Sequence, residues 1–321
     1  MFPGAGKRAG GEGQPLLQGC RGAVRALTSP SGEIVKEFRI EGFDLATFVR
    51  DTLAEDLGEG LPGGGADVTA ESVIPADARF SGVMDSRDAI VVAGLPVAEA
   101  FFRRLDPGME IAMLVEEGAE VEPGTDLMRL SGNARAMLTA ERSALNTVQH
   151  LSGIATMVRE YVRAMDDADC TLLDTRKTIP GLRQLEKYAV RTGGGSNHRM
   201  GLWDAAMIKD NHILVAGSVG EAVRRAREAG VGRIICEVDR LDQIEPALAA
   251  GADHILLDNM DADTLREAVG IIAGRAASEA SGGIDLTTIA AKAATGVDFV
   301  SVGRLTQSAP AADIGLDFTP L

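Results

Sequence analysis

Six apolar runs in the second half of the chain each end in residues suited to chemistry on an anion. CTLLD leads into Thr175, Arg176, Lys177 and Thr178, AAMI into Lys209, Asp210, Asn211 and His212, RIIC into Glu237 and Asp239, and HILL into Asp258 and Asn259. SEA leads into Ser281, Gly282 and Gly283, and DFVSV into Gly303. Between the first two runs, GGGSNHRMG at 193–201 sets His198 and Arg199 behind a glycine run. Arginine meets a carboxylate with two parallel hydrogen bonds, whereas lysine acts as a point charge. Glu237 and Asp258 come from other runs and suit Mg²⁺ or sugar hydroxyls. The glycines leave backbone N–H groups open to a phosphate. The charges also sort by sign: residues 174–212 hold seven Arg or Lys against four Asp or Glu, inside a chain of net charge −15. A cationic cluster in so acidic a chain points to an anionic ligand with several carboxylates or phosphates.

Strands and helices in alternation must position these residues. PGLRQLEKYAVR, SVGEAVRRAREAG (with Ser218 as N-cap), DQIEPALAAG, ADTLREAVGIIAG and LTTIAAKAATG read as helices following the apolar runs. Short, continuously apolar strands between helices predict parallel β/α units buried on both faces. Their polar tips fall at the C-terminal strand edge, where sites in such folds assemble. About six units fit either an abbreviated α/β barrel or an open doubly wound sheet. Arg183, Lys187 and Arg191, at helical spacing, are expected to form a solvated face, and Asp174 to orient backbone or neighbouring cations.

Upstream, FDLATFVRDTLAEDLG is a predicted helix closed by Gly58. ARFSGVMDSRDAIVVAG and MEIAMLVEEGAEVEPGTDLMRLSG read as short strands around the helical LPVAEAFFRRL, with GAEVEPGTDLM as a plain hairpin. TAERSALNTVQHLSGIATMVREYVRAM is a long helix leading into the second half. The first 35 residues are Gly-rich and without periodicity, and are expected to be a disordered leader.

A chain of 321 residues can form two domains, each with its own core. Its acidity argues against nucleic acid or a membrane surface as partner, and 4% aromatic residues are too few for stacking platforms. Cys20, Cys170 and Cys236 form no CxxC pair, and the last two sit in apolar runs as small hydrophobes. No signal peptide and no uncharged apolar run near 18 residues is visible, so a cytoplasmic location is expected.

Taken together, DTRKTIPGLRQLEKYAVRTGGGSNHRMGLWDAAMIKDNH, with ERSALNTVQHLSGIAT before it and EVDRLDQ, LLDNM, SGGI and SVGRLTQS after it, resembles the quinolinate phosphoribosyltransferase family. The likeness covers roughly residues 40–320 and does not reach the first 35. It implies a type II phosphoribosyltransferase: an N-terminal α/β sandwich domain over residues 36–145, rejoined by 306–321, and an incomplete parallel α/β barrel over 146–305. The implied reaction joins quinolinate to 5-phosphoribosyl 1-diphosphate with Mg²⁺, giving nicotinate mononucleotide, pyrophosphate and CO₂ in de novo NAD synthesis.

By the same resemblance, the substrate arginine of the family's ER-x-x-LN motif falls on Arg142 and reaches a neighbouring subunit's site. This implies a homodimer with shared active sites and leaves a hexamer open. Arg176, Lys177, His198, Arg199 and Lys209 take the cationic positions, Glu237 and Asp258 the carboxylates near ribose and metal, and Ser281, Gly282, Gly283 and Gly303 the phosphate loop. Lys177, Glu237 and Asp258 are the expected catalytic groups. GGGSNHRMG becomes a strand-edge loop kept thin so that His198 and Arg199 can meet a flat dicarboxylate. Two departures stand out: Ile235-Cys236-Glu237 has lost one of two acids, and GRLTQS brings Arg304 and Gln307. A same-fold homologue associated with molybdenum transport lacks the intact IKDNH found here. A non-catalytic anion sensor would not need cations, carboxylates and phosphate loop together.

Overall fold

The computed structural model describes residues 25–28, 34–166 and 168–321. Two strands, β1 (Arg25–Thr28) and β2 (Ile34–Glu37), pair antiparallel where the sequence showed no periodic element. The rest of the leader expected over residues 1–35 lies outside the described residues. Among the described residues, no helix is long and apolar enough to cross a membrane.

The first half begins with α1 (Leu45–Leu57), capped by Asp44, whose carboxylate accepts from the Thr47 amide at 3.1 Å. Gly58 ends it at φ 67°, a left-handed turn that glycine makes without strain. There follow α2 (Val68–Val73), β3 (Arg79–Ser86), β4 (Ile90–Val91), α3 (Leu95–Leu105), β5 (Glu110–Met113), β6 (Glu120–Val121) and β7 (Asp126–Asn133). The short α2 had no counterpart in the sequence reading. α3 buries Phe101 and Phe102 completely, and its open N-terminus is capped from afar by Glu117, which accepts from the Gly94 and Leu95 amides at 2.7 and 2.9 Å.

The expected hairpin GAEVEPGTDLM is not one: β6 pairs with β4, while β7 pairs with β3 and β5. The turn between them is held to Ser86, which accepts from Gly124 N at 2.6 Å and donates to Thr125 O at 3.0 Å. That grip sends the two strands into different sheets.

The 31-residue α4 (Ala134–Ala164) runs unbroken through the boundary expected at 145/146. Ser152 and Thr156 on this helix accept from Ala93 N and Val91 N at 3.0 and 2.9 Å. Its other side packs against the second half.

That half alternates β8 (Thr171–Leu173), α5 (Arg183–Thr192), β9 (Ala206–Ile208), α6 (Asp210–Ala216), α7 (Val219–Glu228), β10 (Ile234–Val238), α8 (Ile244–Ala249), β11 (His254–Asp258), α9 (Ala262–Ile272), β12 (Ala277–Ser281), α10 (Ile289–Ala293), β13 (Phe299–Ser301) and α11 (Arg304–Gln307). Ser218 caps α7, accepting from Glu221 N at 3.2 Å. The six strands are parallel, in the order β8-β13-β12-β11-β10-β9. First strand beside last, with β8 and β9 not paired to each other, is a barrel with one open seam rather than a doubly wound sheet. A single bridge, Leu173 to Ser196, stands in that seam. The closing strand β14 (Ile314–Pro320) then pairs with β3, giving the four-stranded order β14-β3-β7-β5.

Burial pushes the thiols of Cys170 and Cys236 up to about 12, so neither offers thiolate near neutral pH. Iodoacetamide at about pH 8 is expected to spare Cys236 until the protein is unfolded, as read by peptide mass spectrometry. Full labelling of the folded protein would contradict this burial.

Candidate active site

The C-terminal edges of the barrel strands enclose a cavity of about 850 Å³. Arg176 and Lys177 enter it after β8, Lys209 after β9, Glu237 from β10 and Asp258 from the end of β11. Ser281, Gly282 and Gly283 follow β12, Gly303 follows β13, and His198 and Arg199 come from the seam. Arg142 is not among them. It is exposed on α4 and lines a separate cavity of about 410 Å³ with Phe48, Glu55 and His150.

The loop that carries His198 and Arg199 is fixed from below. Asp174 is fully buried and accepts from Lys187 Nζ, from Asn197 Nδ2 at 2.7 Å and from His198 N at 2.8 Å. Lys187 also donates to His198 O at 3.0 Å. The expectation of a solvated Arg183–Lys187–Arg191 face is therefore corrected. Lys187 is fully buried, Arg183 Nε donates to Thr178 Oγ1 at 3.0 Å, and Arg191 donates to Asn197 Oδ1. The seam loop lies over this face of α5 and uses its cations as internal hydrogen-bond donors.

The glycine run also has a different cause from the one expected. A Cβ on Gly193 would lie 2.6 Å from Val158 Cβ, and one on Gly195 would lie 3.0 Å from Val190 Cγ1. Gly194 turns the chain at φ 101°. The run is thin because it passes tightly against α4 and α5, not to admit a ligand.

Arg176 and Arg199 lie side by side, and the Nε of each is buried without a hydrogen-bond partner. Arg199 Nη1 donates to Ala205 O at 2.8 Å. Burial, followed by the neighbouring charge of Arg176, holds the Arg199 guanidinium below its ordinary pKa. Buried, like-charged donors left unpaired favour binding an anion. Lys209 stands beside them, its Nζ against Glu237 Oε2. A second cavity, about 470 Å³, is walled by the same Arg176, Arg199 and Lys209 and opens past Leu202 and His212.

The opposite end is built from glycine and acid. Asn259, at φ 57°, donates from Nδ2 to Asp258 Oδ2 at 2.8 Å and from its backbone to Ser281 O at 2.9 Å. Asn259 side-chain atoms occupy the space a Gly282 Cβ would need, and Gly282 itself adopts φ 89°. Lys177 lies over Gly303, where a Cβ would come within 2.7 Å of Lys177 Cδ. Thr306 on α11 donates to Lys177 O at 2.7 Å, and Lys292 donates to Met260 O and Gly282 O at 3.0 and 3.4 Å.

Asn259 was among the expected strand tips without a role of its own, whereas Lys292 and above all Glu279 were missed by the sequence reading. Glu279 is fully buried in β12, with His198 Nε2 at 3.2 Å and His254 Nε2 at 2.9 Å from its Oε2. Burial alone would raise its carboxyl, but the two imidazoles hold it well below the usual range. The available signal was period two: Glu279 lies two residues before Ser281 on one strand, hence on the same face.

Among the described residues, no group of three or more His, Cys, Asp or Glu could hold a metal by itself. Glu237 and Asp258 do supply hard oxygens at the cavity wall, which fits a cation that keeps most of its water or takes substrate oxygens.

A seamed α/β barrel with a cationic wall, facing glycines and two carboxylates, defines an enzyme-like site for a polyanion. Residues 67–152 and 154–317 match the N-terminal and C-terminal domains, respectively, of quinolinate phosphoribosyl transferase. A probable nicotinate-nucleotide pyrophosphorylase (carboxylating) of Bacillus subtilis (strain 168) is 42% identical over 267 residues, 83% of this chain and 90% of that protein. The Mycobacterium leprae (strain TN) nicotinate-nucleotide pyrophosphorylase (carboxylating) is 43% identical, over 84% of this chain and 95% of that protein. The crystal structure of NadC from Streptococcus pyogenes superposes with a TM-score of 0.83 at 38% identity, covering 89% of this chain and 100% of that one. The chain belongs to the quinolinate phosphoribosyltransferase family.

Proposed function

We propose that this protein transfers a phosphoribosyl group from 5-phosphoribosyl 1-diphosphate to quinolinate, releasing pyrophosphate and CO₂ and leaving nicotinate mononucleotide. The observation that carries the reading is the pair of arginines at the cavity wall, Arg176 and Arg199, each with an Nε that has no hydrogen-bond partner, beside Lys209. They suit the adjacent carboxylates of quinolinate. The glycines at 282, 283 and 303 offer backbone amides to the donor's phosphate. The ring nitrogen's lone pair forms the bond to the ribose carbon as the bond to the diphosphate breaks, and its electron pair leaves with pyrophosphate. Lys177 stabilises that leaving charge, and Glu237 or Asp258 the positive charge that develops on the sugar. The carboxylate beside the ring nitrogen then departs as CO₂, and the carbon takes a proton from water. Mg²⁺, when bound near Glu237 and Asp258, neutralises diphosphate charge.

Arg142 completes the site from a second copy of the chain. Leu202, Trp203, Leu214 and Val215 are 74, 81, 78 and 84% exposed, beside the second cavity. A patch of that kind marks an interaction surface, and a two-fold dimer is the commonest way to cover one.

Pyrophosphate and CO₂ should appear in equal amounts from the two substrates; no product would overturn the reading. Subunit mixing tests the shared site. Arg142→Ala and Lys209→Ala are each expected to be nearly inactive. Exchange between them should restore part of the activity, because one site per heterodimer regains both groups. No recovery despite demonstrated exchange would place Arg142 outside the partner's site.

A further inference from the structure

His198 lines the cavity, yet both of its ring nitrogens are engaged inside the protein. Nδ1 lies 2.7 Å from the backbone nitrogen of Arg199. An amide N–H can only donate, so Nδ1 keeps its lone pair, and the ring is neutral with its proton on Nε2. That proton points to Glu279 Oε2 at 3.2 Å. His254 Nε2 sits 2.9 Å from the same oxygen without hydrogen-bond geometry, and its ring stacks on Phe299 at 5.5 Å, so the carboxylate is packed between two imidazoles. The His198 backbone is held too: its N–H donates to Asp174 at 2.8 Å and its carbonyl accepts from Lys187 at 3.0 Å. A ring clamped at both nitrogens and at its backbone has no donor or acceptor left for a ligand.

We propose that Glu279 is a positioning residue for the dicarboxylate site, and that His198 is a strut rather than a contact to substrate. Glu279 fixes His198 as the Nε2–H tautomer. Nδ1 then holds the Arg199 amide, so that the Arg199 guanidinium, with its unpartnered Nε, stays at the cavity wall. An imidazole free to flip, or to carry its proton on Nδ1, would turn an N–H toward that amide and push the arginine away. The kinetic part of the argument rests on the reading of the ligand as quinolinate; the tautomer does not.

The test combines one spectrum with two variants. In protein labelled with ¹⁵N-histidine, the two-bond proton–nitrogen pattern separates the tautomers of the four histidines, and the signal lost in His198→Asn identifies His198. The Nε2–H pattern is expected near neutral pH, unchanged when quinolinate is added. A doubly protonated ring, an Nδ1–H pattern, or a proton shift on adding quinolinate would overturn the strut. Glu279→Leu is expected to raise the quinolinate KM about tenfold or more, as loss of one charge-assisted contact by Arg199 would, while the donor KM changes less than about twofold. Glu279→Gln keeps an acceptor oxygen and should restore most of that loss. Equal defects in both variants, or an equal rise in the donor KM, would refute the positioning role. If Glu279→Leu does not fold, the wild-type spectrum and the Glu279→Gln kinetics still decide. Absence of any turnover on quinolinate would count against the substrate reading and leave the tautomer result standing.

Discussion

Lys187→Met is expected to lower the melting temperature by roughly 10 °C and to cost most of the turnover. Lys187 and Asp174 are both fully buried and in contact. Removing one partner of a buried ion pair leaves an uncompensated charge and costs about 3–5 kcal/mol. In a domain of this size each kcal/mol corresponds to about 2–4 °C. The Asp174 carboxylate would keep its bonds from Asn197 and His198 N, which sets the effect at the middle of that range. The loss of turnover has a separate origin: Lys187 also holds the His198 carbonyl at 3.0 Å, so its removal loosens the loop that carries Arg199. Asp174→Asn in the same chain removes the stranded charge and should recover part of the melting temperature but little of the activity. A melting temperature within about 2 °C of wild type for Lys187→Met would show that the pair does not contribute as a buried pair does.

The barrel was legible because its strands are short, continuously apolar and separated by helices with readable ends, so their polar tips could be placed on one edge before any contact was known. Eleven of the expected site residues do meet in one cavity. Lys187 was misread for a definite reason: helical spacing shows that three cations share a face, but not what covers it. The cover is the loop from Ser196 to Met200, which the sequence places after the helix without saying where it turns. Glu279 stayed hidden because a carboxylate in the short strand ASEAS shows no partner locally, and its two histidines come from other elements. The glycine run was given a ligand-centred purpose when its cause was packing against Val158 and Val190. The boundary expected at 145/146 falls inside α4 because one helix serves both halves, packing against Ala93 on one side and against α5 on the other. Chain breaks in composition do not exist where a single helix is shared.

Discrimination between quinolinate and nicotinate is expected to reach roughly a hundredfold or more in kcat/KM, and to depend on Arg199 and Lys209. The two acids share the ring and one carboxylate, and only quinolinate has a second carboxylate beside the ring nitrogen. Nicotinate bound in this site would leave at least one of Arg176, Arg199 and Lys209 without its ligand contact. The Nε atoms of both arginines are buried and have no protein hydrogen-bond partner, so no protein group stands ready to replace the missing oxygen. A charge-assisted hydrogen bond contributes about 1.5–3 kcal/mol, so losing one or two predicts roughly tenfold to several-thousandfold discrimination. Arg199→Gln and Lys209→Met should then reduce quinolinate turnover far more than they weaken binding of the phosphoribosyl donor. Lys209→Met carries a second effect, because Lys209 contacts Glu237; releasing that carboxylate adds negative charge beside the substrate, so its defect should exceed that of Arg199→Gln. Asp258→Asn should show the reverse pattern, with donor use impaired and quinolinate affinity nearly kept, since Asp258 stands with Asn259 and the Gly282 turn. Glu237→Gln should impair donor use and also disturb quinolinate binding, because Glu237 contacts Lys209. Titration of each ligand against each variant, with turnover measured in parallel, separates the two halves of the cavity. Equal use of nicotinate by the wild type would sink the dicarboxylate assignment even with phosphoribosyl transfer established, because the unpartnered Nε donors of Arg176 and Arg199 would then need some other anion to explain them.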